Sequence, residues 1–177
     1  MIDRRLFVLG APALVAACSS GTVPTDADGN PLQRLYRIRA GQTGAIQFRM
    51  LDGVNALRGA QGLSSLNLNA ELNAAAATHS RDMALQNRPW HFGSDGSSPI
   101  DRVQRVGYAG ILIGETISET YETELETLAA WMQNSDTRGV ILDGRARDMG
   151  FSWFQEQNGK IWWTMVIGSP AASLETA

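Results

Sequence analysis

The run Ile161-Trp162-Trp163-Thr164-Met165-Val166-Ile167 has no polar face. Along an extended strand alternate side chains point to opposite faces, so burying this segment requires cover on both sides. Just before it lies a second apolar run, Met149-Gly150-Phe151-Ser152-Trp153-Phe154. The intervening Gln155-Glu156-Gln157-Asn158-Gly159 reads as the loop of a hairpin. A strand buried on both faces of a small domain needs helices above and below it. The expected fold class is α+β: an α-β-α sandwich with a central, largely antiparallel sheet flanked by helices.

The rest of the chain supplies the helices. Ile46, Met50, Val54 and Leu57 recur at helical spacing on one face, and Arg58-Gly59-Ala60-Gln61-Gly62 ends that helix. A second helix begins after Asn69, whose side chain can accept a backbone N–H, and runs to about Asn87. Its stripe is Leu72, Ala76, His79 and Met83, which makes His79 a packed, neutral core imidazole rather than a ligand. Ser98-Pro99 caps a short helix through Ile100 and Val103, closed by Gly107. Thr123 and Glu126 fit a capping box, opening a helix with Leu125, Leu128 and Met132 inward and Trp131 alongside. Glu122, Glu124 and Glu126 crowd its start, where the helix dipole favours negative charge, and read as caps or solvated charge that could form a docking face. Trp153, Trp162 and Trp163 read as core packing rather than as a sugar-stacking platform.

The first residues are expected to be an address and not a fold element. A charged start, an apolar run from Leu6 to Ala17 and small residues before Cys18 make an export signal, too short for the roughly 20 apolar residues that cross a membrane. Leu14-Val15-Ala16-Ala17-Cys18 resembles the bacterial lipobox, which implies cleavage before Cys18 and acylation of its sulfur. Two or three acyl chains anchor a protein firmly where one holds only marginally. Arg4-Arg5-Leu6-Phe7 resembles the core of a twin-arginine signal, so both the general secretory and the twin-arginine routes stay open. Ser19 in place of aspartate after the cysteine favours the outer membrane, facing the periplasm.

Cleavage there would remove 17 of the 177 residues and leave 160, a length that suits one domain. It would also remove Arg4, Arg5 and Asp3, taking the formal net charge from −3 to −4. A mildly acidic chain with no basic run is a poor match to nucleic acid, whose binding rests on clustered Lys and Arg. Cys18 is the only cysteine, so no intramolecular disulfide can form and the core must hold the fold. The expected organisation is a lipoprotein signal at 1–17, an acylated cysteine and tether at 18–44, a folded domain at 45–168 and a tail at 169–177. The tether is rich in Ser, Gly, Thr and Pro and then carries Arg34, Arg37 and Arg39 around Tyr36.

Several stretches taken in order resemble a known family. They are L-D-G-V-N-A-L-R-G-A-Q-G-L-S-S-L-N-L-N-A-E-L, then H-S-R-D-M-A, His91, G-Y, G-E-T-I, W-M-Q-N-S-D-T-R-G-V-I-L and the closing W-W-T-M-V-I-G. Together, over about Ala45 to Gly168, they are similar to the CAP superfamily of cysteine-rich secretory proteins, venom antigens and plant pathogenesis-related proteins. The resemblance implies an α-β-α sandwich with a cleft, in which many eukaryotic members hold a divalent metal with two histidines and two glutamates. His91 matches the first histidine, and Glu115 in Gly114-Glu115-Thr116-Ile117 matches the glutamate of G-E-N-I. The second glutamate falls on Asn134, the second histidine on Trp162, and Thr137 stands where bacterial members carry a further histidine.

Two ligands are too few for zinc, which takes three or four, so neither metal nor other cofactor is expected. A hydrolase would need a nucleophile beside its base; Ser94, Ser97 and Ser98 are near His91 in sequence, yet no G-x-S-x-G elbow surrounds them. The reading that follows is a non-enzymatic, lipid-anchored envelope protein. Its cleft, lined by His91, Glu115, Asn134, Thr137 and Trp162, would take a small apolar ligand or an envelope protein, since the resemblance implies a scaffold that binds sterols, fatty acids or proteins. The alternative is a peptidase or cell-wall hydrolase with His91 as base.

Overall fold

The computed structural model describes residues 35–171. The leader, Cys18 and the last six residues lie outside the described residues. In chain order the elements are α1 (Thr43–Gly59), β1 (Asn67–Leu68), α2 (Ala70–Gln86), α3 (Pro99–Arg105), β2 (Ile111–Thr120), α4 (Glu124–Gln133), α5 (Ser135–Ile141), β3 (Asp148–Gln155) and β4 (Ile161–Ser169). No described helix is long and apolar enough to cross a membrane.

The apolar run at 161–167 becomes β4, buried at every residue. The sheet order is β1-β3-β4-β2, with β4 antiparallel to both neighbours and β1 parallel to β3. Trp163, Met165 and Ile167 pack with Ile46, Met50 and Val54 of α1, Leu128 and Trp131 of α4 and Ile141 of α5. On the other face Val166 packs with Leu72, Ala75 and Ala76 of α2 and Val103 of α3. The chain is thus an α-β-α sandwich, with α1, α4 and α5 on one face of a mostly antiparallel sheet and α2 and α3 on the other. A Cβ at Gly150 of β3 would collide with the Leu72 backbone, so glycine there lets α2 lie directly on the sheet.

The helix starts follow the side chains that sequence reasoning singles out. Asn69 accepts from Leu72 N, while Ser98 with Asp101 and Thr123 with Glu126 form capping boxes. Two stripes are turned differently. In α4 the inward residues are Glu124, Thr127, Leu128 and Trp131, the i, i+3, i+4, i+7 face, which leaves Leu125 exposed; in α3 Ile100 is likewise exposed. Glu124 is therefore not solvated charge: it is buried, with Arg49 Nε 2.6 Å from one oxygen and the Tyr36 hydroxyl donating to the other at 2.9 Å.

That contact moves the start of the folded part. Tyr36 and Ile38 pack against the α1/α4 core, Ile38 N donates to Gln155 Oε1 at 3.0 Å, and Gln155 Nε2 donates to Tyr36 O at 2.8 Å. Burial and the bond to Glu124 push the Tyr36 phenol up to about 12. Residues 36–38, read from sequence as the end of a tether, are strapped to the domain because Tyr36 has a buried carboxylate to reach.

Candidate functional site

Glu115 owes its direction to an irregularity in β2. Leu112 opposes Gly168 and Gly114 opposes Ile167, so β2 spends two residues where β4 spends one, and Glu115 then opposes Val166. A shift of one residue turns every later side chain to the other face. The bulge therefore aims Glu115 at the α2/α3 layer, with Val166, rather than at the α1/α4 core. Gly114 faces α5, where a Cβ would press into Val140.

His91 is delivered by the turn after α2. Asn87 ends that helix in the left-handed conformation, φ 49°. Trp90 Nε1 then donates to Gln86 Oε1 at 2.8 Å, while Gln86 Nε2 donates to Phe92 O at 3.2 Å. Further along, Asp82 accepts from both N and Oγ of Ser94, and Asp95 accepts from Ser97 N and pairs with Arg105 at 2.6 Å. The loop is pinned on either side of the histidine.

The two residues meet. His91 Nδ1 lies 2.9 Å from Glu115 Oε1, with the histidine side chain 49 % exposed and the glutamate side chain 2 % exposed. A carboxylate can only accept, so Nδ1 carries the proton of this bond, and in the neutral ring Nε2 is left with a lone pair. Nε2 has no hydrogen-bond partner among the described residues. The residues flanking His91 in the chain, Trp90 and Phe92, pack on each other with ring centroids 5.6 Å apart, and the Arg88 guanidinium lies 3.8 Å from the Trp90 ring.

Two further residues complete the cluster, and neither is in the sequence-predicted set. Arg102 of α3 places Nη2 2.9 Å from both oxygens of Glu115, and donates from Nη2 to His91 O at 3.0 Å and from Nη1 to Ser97 O at 3.1 Å. His79, fully buried on the α2 stripe, has Nε2 2.9 Å from Trp90 O and 3.6 Å from Glu115 Oε1. Burial pushes the His79 imidazole down, which keeps it neutral. Its Nε2–H is given to the Trp90 carbonyl, and its Nδ1 is buried with no partner among the described residues. Burial alone would raise the Glu115 carboxyl; the His91 hydrogen bond and Arg102 outweigh it and hold the group below the usual carboxylate range.

The other sequence-predicted cleft residues do not join this cluster. Asn134 caps α5, accepting from Asp136 N and Thr137 N, and the Thr137 hydroxyl donates to the Trp131 carbonyl, with the Asn134 carbonyl farther off at 3.4 Å. Both sit where α4 meets α5, in the layer across the sheet from α2 and α3. Trp162 is buried opposite Glu119, four residues along β2 from Glu115, and its Nε1 donates to Glu156 Oε1 at 2.7 Å. Helix capping and core packing claim these three side chains.

The donor set does not fit a divalent metal. Glu115 has both oxygens occupied by a guanidinium, His79 spends its Nε2–H on a carbonyl, and no three His, Cys, Asp or Glu gather as a metal requires among the described residues. Nor does a serine serve His91: Ser94 Oγ donates to Asp82 and Ser98 Oγ to Asp101. A separate cavity of about 440 Å³, at the other end of α2, is lined by Glu71, Tyr108, Gly110, Asp148 and Pro170 among others, and contains none of the predicted site residues.

Comparison with known proteins gives a consistent result. Residues 51–167 match the family model described as CAP, the cysteine-rich secretory protein family. The uncharacterised protein YkwD of Bacillus subtilis (strain 168) is 29 % identical over 124 residues, which is 70 % of this chain and 48 % of that one, so the chain spans about half the length of this relative. Among solved structures, an outer surface protein of Borrelia burgdorferi superposes with a TM-score of 0.66 at 14 % identity, over 77 % of this chain and 99 % of that one. An extracellular protein with an SCP domain from Bacillus anthracis str. Ames gives 0.64 at 20 % identity, over 75 % and 44 %. At these identities the structural likeness speaks to the fold alone.

Proposed function

The chain belongs to the cysteine-rich secretory protein (CAP) family, and on that premise we propose that it is a non-enzymatic binding module of the bacterial cell envelope, recognising its ligand around His91 and Glu115. The observation that carries this reading is the state of Glu115. Its carboxylate is saturated by Arg102 and His91, and no serine hydroxyl bonds to His91 among the described residues. A hydrolase needs an activated nucleophile or a metal-bound water beside its base, and among the described residues neither a serine hydroxyl nor a third metal-ligating side chain joins His91 and Glu115, which supports the binding reading. What remains is a fixed imidazole with one free acceptor on a loop that also carries the Trp90–Phe92 pair, with Phe92 exposed, a combination of apolar surface and few polar groups that suits a small apolar ligand or an envelope protein.

The runner-up, a hydrolase acting on peptides or cell-wall material, draws on the same dyad: a histidine oriented by a carboxylate is how a general base is held. The two readings separate in one assay. The purified protein is expected to release no more product from unfolded casein or from peptidoglycan sacculi than His91→Ala does. Turnover that disappears in both His91→Ala and Glu115→Gln would install the hydrolase in place of the binding module.

The membrane is the other proposed partner, through lipidated Cys18 at the outer membrane. Support comes from the lipobox-like Leu14-Val15-Ala16-Ala17-Cys18 and from Cys18 being the only cysteine. Labelling cells with palmitate is expected to mark the wild-type chain and leave Cys18→Ala unmarked and released from the membrane fraction. Equal labelling of both would remove the anchor.

A further inference from the structure

We infer that Arg102 is the resident cation of this site: its guanidinium stands where a divalent metal would have to bind, and it holds His91 in a single tautomer. Imidazole and carboxylate are groups that metals take, and here two imidazoles approach one oxygen of the Glu115 carboxylate, with His91 Nδ1 at 2.9 Å and His79 Nε2 at 3.6 Å from Oε1. Yet Arg102 Nη2 is 2.9 Å from both oxygens of that carboxylate, and both side chains are almost fully buried. A metal bonded to a carboxylate oxygen sits about 2.0–2.2 Å from it, and so would lie beside a fixed positive charge. Like charges at such a distance repel strongly where water is excluded.

The same guanidinium orders the histidine from two sides. Nη2 holds the His91 backbone carbonyl at 3.0 Å, while the carboxylate it neutralises accepts from the His91 ring. Nη1 on Ser97 O ties the far end of the loop to the same group. A protein that kept a metal here would spend one ring nitrogen of His91 on it; with Arg102 in place that nitrogen bears a proton and the other faces outward as an acceptor. The inference goes beyond the proposed binding role, because it holds whether or not any ligand is taken at His91.

The test is imidazole ¹⁵N NMR of the purified protein during a Zn²⁺ titration. In the wild type, His91 is expected in the Nδ1–H form, with signals unmoved by stoichiometric Zn²⁺. Arg102→Met, apolar and of similar length, is expected to let His91 exchange between tautomers. It should bind Zn²⁺ at least about tenfold more tightly than the wild type, the scale on which groups around a metal site act. Arg102→Met combined with Glu115→Gln should lose that gain, and Arg102→Lys, which keeps the charge, should still keep zinc out. The inference is overturned if wild-type His91 signals move with stoichiometric Zn²⁺, or if Arg102→Met matches the wild type in both tautomer and zinc affinity. Should Arg102→Met not fold, the wild type and Arg102→Lys decide, since a zinc-coupled shift of His91 in either one overturns it. Failure of the binding role would appear separately, as turnover in the casein or sacculus assay with these spectra unchanged.

Discussion

Glu115→Ala is expected to be among the most damaging single substitutions in the domain, although it removes no apolar side chain. Arg102 would be left as a guanidinium only 5 % exposed with no counter-charge, and stripping one partner from a buried ion pair costs about 3–5 kcal/mol. For a domain of this size that is a fall in Tm of roughly 10–15 °C. The His91 ring would lose its hydrogen bond to Glu115 as well, so the damage should spread along the loop that Arg102 ties down through His91 O and Ser97 O. Glu115→Gln keeps an acceptor for Arg102 but not the charge, and should fall between alanine and the wild type. The effect has a pH signature. Because the folded state holds the Glu115 carboxyl below its ordinary range, its stabilisation is fully present above the unfolded-state pKa and fades as pH falls through the folded-state value. The gap between wild type and Glu115→Ala should therefore be widest near neutrality and narrow in acid. Thermal melts across pH that show a gap under about 1 kcal/mol at neutrality, below the usual worth of one charged hydrogen bond, would show the cluster to be dispensable.

Much of the fold is legible in sequence because it depends on local chemistry. The run at 161–167, apolar on both alternating faces but for Thr164, reads as a strand covered on both sides, and Asn69, Ser98 and Thr123 announce helix starts that the structure realises with the expected hydrogen bonds. What stays hidden depends on rotation and register. Glu124 looks like one of three glutamates at a helix start until α4 is turned by the need to bury Leu128 and Trp131, which carries Glu124 inward to Arg49 and Tyr36. Glu115 faces the α2/α3 layer only because β2 carries its bulge between Leu112 and Gly114, and nothing in the local letters fixes that.

The site shows the same division. His91 and Glu115 are found in sequence through resemblance, and the chain brings them within 2.9 Å. Asn134, Thr137 and Trp162 come from the same resemblance, but here they are spent on a cap, a helix junction and the core. Arg102 escapes notice because an arginine in a short amphipathic helix ordinarily reads as solvated charge. Only the depth of Glu115 reveals that it points inward, and an arginine one position before an apolar Val103 is the faint signal that could have raised the question.

Arg58 is the second interior arginine, and its loss should rival that of Glu115. It continues the stripe of Ile46, Met50 and Val54 at the next helical step and, like them, is fully buried. Among the described residues no carboxylate pairs with it; instead Nε donates to Ser64 O at 2.9 Å, Nη1 to Ile141 O at 2.7 Å and Asp143 O at 3.0 Å, and Nη2 to Ala146 O at 3.3 Å. The guanidinium thus fastens the end of α1 to the loop after it and to the turn between α5 and β3. Burial, with Arg147 adding to it and Asp143 opposing, pushes its pKa down, yet an arginine stays charged in a protein. Arg58→Met keeps most of the volume and removes every donor, stranding carbonyls at about 1–3 kcal/mol for each that water cannot reach. Arg58→Ala adds a cavity and should cost about 4–5 kcal/mol in all. Lysine offers a point charge rather than a planar fork, so Arg58→Lys should recover only part of the loss. Urea unfolding should record these as shifts in midpoint at unchanged slope, with amide exchange quickened first in the 141–147 turn. A midpoint for Arg58→Met within about 1 kcal/mol of the wild type, the net worth of one ordinary hydrogen bond, would mean that water replaces the guanidinium among those carbonyls and that the turn needs no fastening.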